Sequence, residues 1–229
     1  MRPDGGNHPD LPRQRAGTTP QMFGRYPDFD VLAEADRWDE VTRAVVLDRV
    51  SRVPPIRFFT DAERDTLSAF CDTVMAQDRE PRIPVLAHVD ERLFEGRLDG
   101  YQYADMPADG ETWRAVARGL DEATGRRGAA SYAAAPAALR NEACAAFAAG
   151  DLAGGVWEEL PVGRAWSVVM RYVLSAFYAH PWAWNEIGFG GPAYPRGYAR
   201  LGAGQRDAWE GKEAFEVDPV SDVVERGLE

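Results

Sequence analysis

Residues 162–179 read VGRAWSVVMRYVLSAFYA. Val162, Trp166, Val169, Met170, Val173 and Phe177 recur at three- and four-residue steps, which places them on one face of an α-helix. No stretch of strand length elsewhere alternates strictly between apolar and polar residues. This segment therefore predicts a long core helix and sets the class as all-α. Moving upstream, Gly154-Gly155 and Gly150 break the chain behind an Ala-rich helix from about Pro136 to Ala149, with Leu139, Ala143 and Phe147 inward. Before that come helical faces at Trp113, Val116 and Leu120, and at Leu86, Val89 and Leu93, the latter opened by Pro84 and closed by Gly96. Thr60-Asp61-Ala62-Glu63 is a capping box in front of Leu67, Phe70, Cys71 and Val74. Trp38, Val41 and Val45, with Asp39 and Glu40 in the first turn, predict a helix that ends before Pro54-Pro55. The expected architecture is a single helical bundle of about six helices over 28–205, with an extended arm at 1–27 and a polar C-terminal tail at 206–229.

The chain has 229 residues and a formal charge of −11. That length allows a sizeable core, since such a domain buries roughly 70% of its unfolded surface. The negative charge repels phosphate backbones and argues against a nucleic-acid partner. Every basic residue except Lys212 is Arg, the side chain suited to planar pairing and stacking. No run approaches the ~20 apolar residues that span a bilayer. Residues 1–30 contain no apolar h-region, and Arg13-Gln14-Arg15 is not a twin-arginine pair. A cytoplasmic location is expected on that basis, with a periplasmic or extracellular one only through co-export or a misassigned start. Cys71 and Cys144 stand in no metal or redox spacing and are expected to be buried thiols.

The residues offer little catalytic chemistry. The histidines are His8, His88 and His180, and none follows a Glu at the Glu-x-x-His spacing of carboxylate-bridged metal sites. No metal is expected. There is no G-x-S-x-G, and Cys71 lies on a core stripe, where a thiol is inert. Gly188-Phe189-Gly190-Gly191 superficially matches a nucleotide loop, but it follows a helix and not a strand, and Pro192 interrupts what should be a helix start. No catalytic residue is assigned.

What remains is HPWAWNEIGFGGPAYPRGY at 180–198, read as a loop after the last long helix. Aromatics and Arg dominate interface hot spots, so Trp182, Trp184, Phe189, Tyr194, Arg196 and Tyr198 are the candidate partner-binding residues. Pro181, Pro192 and Pro195 stiffen the segment. His180, Asn185, Glu186, Gly190 and Gly191 are read as shaping it, His180 by a hydrogen bond. The bland reading is that the loop folds back and plugs the bundle, with some rings inward and some outward. Two other readings stay open: an aromatic-lined bundle that binds a small molecule, and a stand-alone enzyme with a site at His180, Asn185 and Glu186.

YAHPWAWNEIGFGGPAYPRGY, residues 178–198, closely resembles the hallmark of the gluconate 2-dehydrogenase subunit 3 family: Tyr-x-His-Pro, then Trp-Asn-Glu-Ile-Gly-Phe, then Gly-Pro-Ala-Tyr-Pro. FFTDAERDTLSAFCDTVMA upstream is similar to the family's first core helix, and Phe147, Gly150, Trp157 and Leu160 match its spaced motif. RYPDFDVLAEADRWDEVTRAVVLDRV resembles a leader of some members, so the likeness covers most of 25–210. The resemblance implies a non-catalytic small subunit that stabilises a large FAD-dependent oxidoreductase of the glucose–methanol–choline type. It implies a hetero-oligomer, with the FAD held by the partner and a cytochrome subunit in some members. Family members with a twin-arginine signal escort the flavoprotein across a membrane. That signal is not found here, so the stabilising role is the one expected.

Overall fold

The computed structural model describes residues 26, 29–78, 80–195, 197 and 207–212. All of its regular elements are helical. The α-helices are α1 (Glu40–Ser51), α2 (Asp61–Val74), α3 (Val85–Phe94), α4 (Asp109–Gly125), α5 (Ala137–Ala149), α6 (Val162–Tyr178) and α7 (Pro181–Ile187). Short 3-10 turns lie at Val31–Arg37 and Gly155–Glu158. The described residues hold seven α-helices where about six were expected, the additional one being 181–187, which the sequence reading left as loop.

The chain forms two compact units, one from residues up to Arg52 together with those from Tyr178 onward, the other from Val53 to Phe177. In the second unit the capping box forms as read: Thr60 Oγ1 accepts from Glu63 N, and the Glu63 carboxylate accepts from Thr60 N at 2.9 Å. α2 packs against α3, α4 and α5, and α4 also packs against α5 and the Gly155–Glu158 turn. Phe70, Phe147, Trp157 and Trp166 meet with ring centroids 5.1–6.2 Å apart, bringing α2, α5, α6 and the 3-10 turn together. Trp113, Val116 and Leu120 are buried as their spacing predicts. On α6 the buried face centres on Ala165, Val168, Val169, Tyr172 and Val173, while Val162, Trp166 and Met170 lie half-buried at its margins.

A buried carboxylate organises the entry to this unit. Asp90 of α3 accepts backbone N–H bonds from Arg57 at 2.6 Å, Phe58 at 2.9 Å and Phe59 at 3.0 Å. These donors precede α2 and have no strand or helix ladder to join, so the carboxylate stands in for one.

The first unit departs from its expected helical face. Asp39, expected in the first turn, is instead the N-cap of α1, with its carboxylate accepting from Thr42 N at 2.8 Å. Trp38 is buried but sits before the helix, and Val41 and Val45 face outward, 72% and 51% exposed. Val46 and Val50 form the buried face instead. The period was read in a register set by Trp38, whose indole is placed by the 3-10 turn and not by α1. The core here is Val31, Ala35, Trp38, Val46 and Trp184, with Phe29, Leu32 and Phe189 against it.

Candidate functional site

Residues 180–197 lie in the first unit and are built around α7. His180 is its N-cap: Nδ1 accepts the Trp182 N–H at 3.2 Å, in a ring that is almost wholly buried. Pro181 follows at the first helical position, where a missing N–H costs nothing. Gly188 ends the helix in the left-handed conformation at φ 68°, as a C-terminal glycine should. Cap, proline and glycine make seven residues a helix.

Trp182 and Trp184, expected as docking anchors, are each 5% exposed and belong to the interior. Trp182 packs edge-on to His180 at 4.8 Å. Trp184 donates Nε1–H to the Tyr178 carbonyl at 2.6 Å, lies under the Arg49 guanidinium and meets Phe189 at 5.5 Å with perpendicular rings. Phe189 is half-buried. Asn185 turns its Oδ1 to accept the Val31 N–H at 2.7 Å, tying α7 to the N-terminal turn. Glu186 and Pro192 are half-buried; burial, with Glu186 nearby, pushes the Tyr178 hydroxyl up. Among the described rings of this stretch Tyr194 faces solvent, 66% exposed. Arg196 and Tyr198 lie outside the described residues.

The glycines serve aromatic packing. A Cβ on Gly188 would stand 2.6 Å from Tyr26, one on Gly190 would stand 2.6 Å from Trp209, and one on Gly191 would stand 2.8 Å from Trp38. Gly211 N also donates to Gly188 O at 2.9 Å. Part of the span expected as a polar tail, 207–212, thus folds onto this segment. On the sides where a Cβ would stand, Gly188, Gly190 and Gly191 meet the rings of Tyr26, Trp209 and Trp38. His180 Nδ1 and Asn185 Oδ1 each accept a backbone N–H, so both side chains serve the local backbone.

Elsewhere, burial pushes the Cys71 thiol far up and the Cys144 thiol up to about 11, away from nucleophilic use. Among the described residues no three His, Cys, Asp or Glu side chains are placed to hold a metal ion. Among them, too, no helix is long and apolar enough to cross a membrane. A polar cluster that spacing did not reveal joins α4 and α6: Asp109, nearly buried, accepts from Tyr172 Oη at 2.6 Å and Arg171 Nη2 at 3.0 Å. Its members are about 60 positions apart in the chain, so no local pattern could have paired them.

The fold and this stretch together define an all-helical protein whose most distinctive segment is an aromatic–glycine framework. The family model described as gluconate 2-dehydrogenase subunit 3 matches residues 61–191, more than half of the chain. The chain belongs to that family. No curated protein and no solved structure matches it.

Proposed function

We propose that this chain is a non-catalytic small subunit that binds and stabilises a large FAD-dependent sugar or alcohol dehydrogenase or oxidase. The observation that carries this reading is the family match over residues 61–191, whose description is that of a dehydrogenase subunit. Two features support it. The glycine run at 188–191 packs against Tyr26, Trp38 and Trp209, which suits a framework role, and the FAD is proposed to sit in the companion. His180 Nδ1 and Asn185 Oδ1 each accept a backbone N–H, which fits a positioning role for both residues. Docking through 180–198 rests on the exposed Tyr194 edge, with the buried Trp182 and Trp184 serving as its support.

The test is reconstitution. The full chain and the purified FAD-containing large subunit from the same host are mixed and sized by light scattering, with flavin absorbance followed. A stable stoichiometric complex that raises the flavoprotein's melting temperature, with no turnover by the small chain alone, is the expected result. Turnover by the isolated chain, or no complex at micromolar concentration, overturns the proposal.

A further inference from the structure

Between α3 and α4, every residue from Phe94 to Asp105 is exposed except Tyr103, which is half-buried. Leu93 before this stretch and Met106 after it are buried, so it is rooted in the core only at its two ends. Apolar burial does not hold it down between them. Its fastenings are polar. One Asp99 carboxylate oxygen meets Arg92 of α3, and the other meets Nε of Arg171 on α6 at 2.8 Å. Arg92 also donates from Nε to the Arg97 carbonyl at 2.7 Å, and Arg97 pairs with Glu95 at 2.8 Å and Glu91 at 3.4 Å. Asp105 pairs with Arg164 of α6, whose guanidinium lies 5.2 Å over the Tyr103 ring. Arg164 and Arg171 are two turns apart on α6, about 10 Å. The stretch therefore runs beside that helix and is pinned at both ends of those two turns.

The Asp99 pin is layered. Arg171 reaches Asp109 at 3.0 Å, and Asp109 accepts the Tyr172 hydroxyl at 2.6 Å. The Asp109 side chain is 6% exposed and that of Asp99 33%, so Asp99 forms the solvent side of the cluster. Gly96 and Gly100 bracket it at φ 66° and 69°, and a Cβ on either would meet nothing within 4 Å. The backbone on both sides of Asp99 is thus free to turn.

We propose that residues 95–105 form an ionic strap over the Asp109–Arg171–Tyr172 cluster, which opens when Asp99 is neutralised or salt is raised while the helices stay packed. The ion pairs that fasten it are partly exposed, and salt screens such pairs. The apolar contacts that hold the helices together are not weakened by screening. A segment with no buried side chain of its own opens at a lower free energy than the core it lies on. Opening takes the Asp99 carboxylate away from Arg92 and Arg171 and leaves both guanidinium groups to solvent.

Trypsin supplies the readout, because Arg97 is its one target within 95–105. Cleavage there requires the strap to open, and its rate follows the open population. The full chain is digested as wild type, Asp99→Asn, Asp105→Asn and Asp65→Asn, at about 0.05 M and about 0.5 M salt. Cleavage after Arg97 is followed by mass spectrometry and normalised to a peptide substrate at the same salt. At low salt Asp99→Asn is expected to be cut about fivefold faster than the wild type, and Asp105→Asn about twofold faster. High salt brings the wild type toward the Asp99→Asn rate and changes that variant little. Asp65→Asn removes the same charge from an exposed pair on α2 and stays at the wild-type rate. Amide protection in α2 and α4 stays at wild-type values throughout, which separates release of the strap from unfolding. Equal rates for the wild type and Asp99→Asn at low salt, or a wild-type rate that ignores salt, overturn the proposal. So does acceleration that Asp65→Asn shares or that comes with lost protection in α4.

Discussion

Trp157 donates its Nε1–H to the Gly119 carbonyl at 3.2 Å, and its indole occupies the space where a Cβ of residue 119 would stand. Gly119 is therefore not a weak point in α4 but the seat of the ring that also packs on Phe147. Gly119→Ala would normally favour a helix, and here it is expected to cost about 1–3 kcal/mol by overpacking. Urea denaturation of the two proteins measures it; a stabilised variant would show that the indole yields freely.

Asp90 gives a second test. Replacing it with Asn keeps the shape but exchanges one acceptor oxygen for a donor that faces a backbone N–H. At least one of the three N–H groups, which are buried or partly buried, loses its partner, which costs roughly 1–3 kcal/mol. Amide exchange at Arg57, Phe58 and Phe59 should accelerate together. Protection that survives in the variant would mean that another group holds this turn.

His180 is predicted to act through its acceptor and not through proton transfer. His180→Ala removes the α7 cap and should lower stability by about 1–2 kcal/mol. His180→Asn restores a capping oxygen and should recover much of that loss. Equal destabilisation by both, measured as shifts in denaturation midpoint, would count against the cap as its main role.

The two ends of the aromatic stretch should separate in their effects. Trp184→Ala empties a core position and is expected to cost roughly 3–5 kcal/mol, visible as early melting. Tyr194→Ala, on an exposed ring, should leave melting within about 0.5 kcal/mol and weaken the reconstituted complex. Reversed phenotypes would mean that α7 opens on binding.

Alkaline stability should carry the signature of Cys144. Burial pushes its thiol up to about 11 from 9.0, so between those values the unfolded chain loses a proton that the folded chain keeps. Its contribution is full below pH 9 and fades as pH rises toward 11, on the order of 2 kcal/mol in total. Unfolding free energies at pH 8 and 10.5 should therefore diverge less in Cys144→Ala than in the wild type. An identical drop in both would place the alkaline loss on other groups.

Local chemistry was readable wherever the cause of a structure lay within a few residues of its effect. The Thr60–Glu63 capping box, the left-handed Gly150 after α5 and the Trp113–Val116–Leu120 face all follow from spacing over a turn or two. The α1 face was misread for the converse reason. Trp38 has the right spacing to Val41 and Val45, but Asp39 starts the helix after it, and its indole packs over Gly191 far along the chain. The helix at 181–187 was missed because its seven residues hold two Trp and a Pro, a composition that suits a loop until His180 is seen to cap it.

The all-α class and the family are written in residue order, since helical period, caps and the 178–198 hallmark are local patterns along one chain. Which aromatic rings face inward is not. Burial of Trp182 and Trp184, filling of the glycine run by Tyr26, Trp38 and Trp209, and the Asp109–Arg171–Tyr172 cluster depend on segments brought together from distant positions. Apolar burial is non-directional, so composition alone shows that a ring will be attracted to a core but not which neighbours will enclose it. Those neighbours left Tyr194 on the surface and sent its tryptophans inside.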